Sequence, residues 1–258
     1  MSAAVRILAV AANTLREAVR NRVLYTLVFF ALGMIALGVV LSSLSYVEQE
    51  RILQDVGLAA IRIFGVAIAI FVGVGLIHKE VERRTIHTVL SKPVTRAEFL
   101  LGKYVGLVAT LWLQVAIMSV GFVLVSLSTG AELSLGHAAA LGLVACELAV
   151  MVGVATLFSS FTTPLLASLF SCGIFVAGSF SRDLRDLGAQ SDLGWVQEMT
   201  SVLYRFLPDL EAFDLTVQAV HGLPIGASDL WLPLVYGAGY AGLLLLAAIA
   251  AFERRDFR

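Results

Sequence analysis

Two ionisable side chains stand out because of where they fall. Glu147 is the only Asp, Glu, Lys or Arg between Leu133 and Ser181, and Arg62 is the only one between Val56 and Ile77. A carboxylate in apolar surroundings can hold a proton, touch a passing substrate, or sit in a structural pair with a guanidinium; at membrane depth each is a functional hypothesis. Arg62 is the one charged partner available to Glu147 within the apolar stretches, although it lies nearer their outer edge and could reach the interface alone. Other chemistries find no footing. His78, His87, His137 and His221 have no metal-ligand or haem spacing, and there is no His-Glu-x-x-His. Gly102-Lys103 lacks the upstream glycine and is followed by Tyr104 where a phosphate loop needs Ser or Thr, so the chain cannot hydrolyse ATP itself. No Gly-x-Ser-x-Gly elbow occurs, and Cys146 and Cys172 read as small hydrophobes inside apolar runs. No catalytic, cofactor-binding or metal-ligating residue is expected in this chain.

The elements that must position Glu147 and Arg62 follow from composition. Of 258 residues, 59 % are hydrophobic and 14 % charged, with a mean hydropathy of +0.90. A soluble domain has about a quarter of its residues charged, so most of this chain faces something other than water. An all-α polytopic membrane protein is the class that remains. At roughly 20 residues per crossing, the apolar windows predict six spans, at about 23–43, 56–77, 102–129, 135–158, 164–180 and 230–252, with an outer loop over 181–229. The fourth and fifth are separated at Ser159 to Pro164, where Pro164 suits a first helical turn and the residues before it suit a cap.

Six crossings put both ends of the chain on one side. The segments there carry thirteen basic residues and six acids, a balance of +7, whereas the opposite loops hold four and twelve, a balance of −8. The excess of Lys and Arg predicts that the terminal side is cytoplasmic. Residues 1–22 are too interrupted by Asn13, Arg16, Glu17 and Arg20 for a signal peptide. Leu8, Ala12, Leu15 and Val19 share one helical face, which predicts an amphipathic helix in the cytoplasmic interface.

Between the second and third spans lies a polar segment, His78 to Lys103, with acidic and basic residues interleaved. Val81, Thr85, Thr88 and Val89 have helical spacing and Pro93 ends that helix; Thr95 and Glu98 then form a capping box from which the third span grows. On its own such a segment is a solvated loop. However, the order Glu80-x-x-x-x-Thr85, Leu90-x-x-Pro93-x-x-Arg96, Phe99-Leu100-Leu101-Gly102-Lys103 resembles the signature of type-2 ABC transporter permeases, the membrane subunits of ABC exporters. The outer stretch Leu207-Pro208-Asp209-Leu210-Glu211-Ala212-Phe213-Asp214 and the charged segment Glu253–Arg258 are similar to that family too. Arg84 stands where many members have glycine.

The resemblance implies a coupling helix in this loop, carried by Glu80, Glu82, Arg83, Arg84, Thr85, Thr88, Pro93 and Arg96, that docks into a separate ATPase subunit. It implies two ATPase copies binding ATP and Mg, a second permease subunit in a homodimer or heterodimer, a place in the cell inner membrane, and no nucleic acid. A membrane-embedded scaffold without a transport path is the alternative. A secondary carrier is less well matched, because charge is nearly absent from the spans. In the outer loop, Trp195, Met199, Val202, Leu203, Phe206 and Leu210 predict an amphipathic helix ended near Pro208, lying on the outer leaflet or touching substrate. Gly102/Gly106, Gly73/Gly75 and Gly237/Gly239/Gly242 predict close helix packing, with the subunit interface as one place for it.

Overall fold

The computed structural model describes residues 2–43, 48–82, 95–191 and 193–253, and among these every regular element is helical. In chain order they are α1 Ala3–Val19, α2 Arg22–Ser42, α3 Gln49–Glu82, α4 Arg96–Ser128, α5 Leu135–Phe161, α6 Pro164–Ser179, α7 Ser181–Ala189, α8 Gly194–Phe206, a 3-10 turn Glu211–Phe213, α9 Thr216–Val220 and α10 Ala227–Glu253. Local chemistry starts and stops them. Asn21 Oδ1 accepts from Val23 N–H at 3.0 Å to open α2, and Pro164 occupies the first turn of α6. Gly130, at φ +79°, turns the chain between α4 and α5, a conformation in which a Cβ would be strained. Gln54 Nε2 donates to the Glu132 carbonyl at 2.8 Å and ties that turn to α3.

Five helices, α2, α3, α4, α5 and α10, are long and apolar enough to cross a membrane. The 16 residues of α6 rise about 24 Å, short of a full hydrocarbon core, and α6 meets α7 at a bend of 57°. Contacts at the two ends of the bundle decide its status. At one end, here called basal, Arg6 of α1 meets Glu98 at the start of α4, and Arg96 Nη1 donates to the Phe252 carbonyl of α10 at 3.4 Å. At the other, distal end, Leu210 N–H donates to the Gly178 carbonyl of α6 at 3.2 Å, and Asp209 N–H to the Tyr236 hydroxyl of α10 at 2.9 Å. The chain leaves α5 basally and enters α10 distally, so α6 and the bent segment after it carry the return, a sixth candidate crossing beside the five long helices.

The centre of the bundle is α5. Every residue from Val150 to Thr156 is buried, as suits a helix with neighbours on all sides. Around it pack α3, α4, α6, α9 and α10. Lipid provides no hydrophobic drive between helices, so close approach and polar links must hold them. Tyr104 and Trp112 of α4 donate to the Ala149 and Ala145 carbonyls of α5 at 3.2 and 3.0 Å. Small residues supply the close approach: a Cβ on Gly57 would meet the Phe122 ring at 2.5 Å, and one on Gly38 would meet Leu53 at 3.2 Å.

The helix of the second span is longer than the window 56–77, since α3 runs unbroken from Gln49 to Glu82, and the loop helix expected up to Pro93 lies largely outside the described residues. The α1 helix does not merely lie in an interface. Its buried residues are Ala11, Thr14 and Ala18, which pack against α4 and α3, while Leu8 stays exposed. Gly102 and Gly106 serve that contact inside the chain, where a subunit interface had been considered. In the outer loop the expected amphipathic helix is α8, which pairs with α7, while residues 207–220 fold back into the bundle.

A Cβ on Gly106 would lie 2.6 Å from both the Ala11 carbonyl oxygen and Thr14 Cβ, whereas at Gly33 nothing lies within 4 Å. Gly106→Leu is expected to cost about 1–3 kcal/mol by forcing α1 off α4. Thermal unfolding of the purified protein in detergent should show a lowered midpoint for Gly106→Leu and an unchanged one for Gly33→Ala.

Candidate functional site

Arg62 on α3 and Glu147 on α5 form a two-pronged pair, with Arg62 Nε to Glu147 Oε2 and Nη2 to Oε1 both at 2.9 Å. Glu147 is 0 % exposed. The guanidinium does not end there: Nη1 donates to the Asp214 carboxylate, Nη2 to the Leu210 carbonyl at 3.4 Å, and its face stands 6.0 Å from the Phe175 ring of α6. A single cation therefore joins α3, α5, α6 and the 207–220 segment. Losing the Glu147 arm would leave Arg62 short of its buried counter-charge in low dielectric, so that pair holds as a unit.

The third member, Asp214, is delivered by a stretch whose local folding is legible residue by residue. Pro208 follows the end of α8, Asp209 Oδ1 accepts from Ala212 N–H at 3.2 Å, and Asp214 Oδ1 accepts from Thr216 N–H at 2.9 Å to start α9. Arg182 of α7 holds Asp209 from outside, with its Nη2 at 3.0 Å. Leu210 and Phe213 are wholly buried, and two glycines make room for them. A Cβ on Gly178 would lie 2.7 Å from the Pro208 carbonyl oxygen, and one on Gly237 would lie 3.0 Å from the Phe213 ring. Leu210 thus belongs to this wedge and not to the amphipathic stripe. Elsewhere in the stripe Trp195 and Met199 are open, 64 % and 54 % exposed, as are Val202 and Leu203.

At the basal end Glu98 is the hub. Its backbone N–H donates to Thr95 Oγ1 at 3.2 Å while its carboxylate accepts from Thr95 N–H at 3.0 Å, a complete capping box. The same carboxylate accepts Arg6 Nε at 3.0 Å and Arg6 Nη2. That hydrogen bond raises the Arg6 pKa further above its ordinary value, so Arg6 stays charged. One turn on, Lys103 is 1 % exposed, 3.6 Å from the Glu17 carboxylate and 5.9 Å from the Phe99 ring. Of the residues assigned to coupling, Glu80 and Glu82 lie on the last turn of α3 and Arg96 opens α4, while Arg83, Arg84, Thr85, Thr88 and Pro93 lie outside the described residues. His137 accepts from Ser134 N–H at 3.1 Å and caps α5. Among the described residues no three His, Cys, Asp or Glu side chains converge as a metal site.

Sequence reasoning named Arg62 and Glu147 as possible partners but counted Asp214 only as an outer acid. The Asp214-Leu215-Thr216 cap and the family-like stretch before it were the available signals. Arg6 could not be matched to Glu98 from the sequence, 92 positions away. Glu147→Ala would leave the Arg62 guanidinium buried with Asp214 alone, and a loss of about 3–5 kcal/mol is expected. Asp214 has 31 % of its side chain exposed, so Asp214→Asn, which keeps the two-pronged pair, should cost far less. Melting temperatures of the two purified variants check this; equal losses would contradict it.

The sequence matches the family described as ABC-2 family transporter protein over residues 8–257, a range that takes in α2 to α10 and most of α1. No curated protein matches the chain at a significant level. Members of this family are membrane subunits and not themselves enzymes. With a multi-pass helical bundle and a family match of almost full length, the chain belongs to the ABC-2 family of transporter proteins, as an ABC transporter permease subunit.

Proposed function

We propose that this subunit converts ATP hydrolysis by a separate ABC ATPase into export of a substrate across the cell inner membrane, with both termini and the α3–α4 connection in the cytoplasm. The observation that carries this is the basal clamp. Glu98 caps α4 and pairs with α1, and Arg96 beside it reaches the end of α10. Any push on the segment joining α3 to α4 is then delivered to α1, α4 and α10 together, as a lever needs and a passive scaffold does not. Residues Glu80, Glu82, Arg83, Arg84, Thr85, Thr88, Pro93 and Arg96 would meet the ATPase. Two ATPase copies, holding ATP and Mg, would close against two permease subunits, identical or different.

At the distal end, the Arg62–Glu147–Asp214 cluster would keep the outer wedge attached to α3 and α5 as the helices reorient. ATPase closure needs only to favour one helix arrangement over another. The charge balance of +7 at the terminal side supports the proposed sidedness. A cysteine at Thr85 or Thr88 should crosslink to the ATPase when both are co-expressed, and the yield should change on trapping with a non-hydrolysable nucleotide. Labelling of either cysteine from outside intact cells would sink the topology and the coupling together.

A further inference from the structure

We infer that the corner between α1 and α2 binds the phosphate headgroup of an anionic phospholipid. A cleft of about 860 Å³ opens there, lined by Arg16, Arg20 and Arg22 together with Glu17, Val23 and Phe71. All three arginines are exposed, and among the described residues none makes an ion pair or side-chain hydrogen bond. The acid in the cleft, Glu17, is engaged by Lys103. No acidic residue occupies the first turn of α2, so Arg22 adds its charge to the positive end of a 21-residue helix. Three cations and a helix N-terminus converge there, and among the described residues the one acid lining the cleft, Glu17, is paired with Lys103.

The apolar part of the lining decides between a lipid and a soluble anion. Val23 and Phe71 are 46 % and 58 % exposed, on helices that cross the membrane, so acyl chains can lie along them while the headgroup meets the arginines. Basic pockets beside membrane helices at the positively charged end of a protein have this character. Because α1 also packs on α4, an occupied cleft would brace the basal clamp from the bilayer side. The inference does not depend on ATPase coupling, and its test uses the permease alone.

Full-length protein in a mild detergent is titrated with dioleoylphosphatidylglycerol, dioleoylphosphatidylcholine or inorganic phosphate, and bound lipid is read by native mass spectrometry and thermal shift. Phosphatidylglycerol should bind at least about tenfold more tightly than phosphatidylcholine. At roughly fivefold per arginine, the combined Arg16→Gln, Arg20→Gln, Arg22→Gln variant should lose on the order of a hundredfold, and Arg20→Gln alone about fivefold. Raising salt from about 0.05 to 0.5 M should release phosphatidylglycerol from the unmodified protein, a readout that needs no variant. Equal binding of the two lipids, or unchanged phosphatidylglycerol binding in either variant, would overturn the site. Competition by inorganic phosphate as effective as the lipid would overturn the lipid assignment in favour of a soluble anion.

Discussion

A charge inside hydrocarbon must be neutralised where it stands, and the distal half of this permease is arranged around meeting that requirement for Arg62. A lone guanidinium at that depth is costly. Glu147 meets it in two-pronged geometry from α5, Asp214 adds a second carboxylate, and Leu210 adds a carbonyl. The partners come from α5 and from the 207–220 wedge, so neutralising one side chain fixes the relative positions of α3, α5 and that wedge. The wedge in turn needs Gly178 and Gly237, since a side chain at either would collide with it. The short α6 follows from the same geometry, because its distal end has to stop where the wedge enters.

The basal half solves a different problem, how to hold helix ends together near the surface where lipid no longer confines them. Glycines at 102 and 106 let α1 lie directly on α4, with Cβ positions that would fall 2.6 Å from Val10 and Ala11 atoms. Glu98 then completes a cap and an ion pair with one carboxylate. The result is a basal end that is polar but closely bound, beneath a bundle whose core is almost wholly apolar.

Much of the architecture could be read along the chain. Long windows without charge marked the crossings, since an unpaired charge in lipid is expensive enough to be rare, and the helices fall on those windows. The Thr95–Glu98 box and the break at Pro164 were legible because capping is local, decided by residues within four positions of one another. What could not be read was anything that depends on partners distant in the chain: that Arg6 pairs with Glu98 across 92 positions, or Arg62 with Asp214 across 152. Leu210 shows the limit plainly. Its spacing extends the stripe of α8, but Pro208 turns the chain and the residue is buried in the bundle.

The sequence by itself determined the membrane class, the helical content, the apolar windows, the charge asymmetry along the chain, and the family. These depend on composition and on short-range periodicity, which a linear string carries in full. Only the tertiary structure decided that Asp214 joins the Arg62–Glu147 pair, that Gly102 and Gly106 serve α1, and that the outer loop is half wedge and half open helix. Those outcomes turn on which surfaces meet in space, and close approach between helices is settled by the packing of the whole bundle rather than by any one segment.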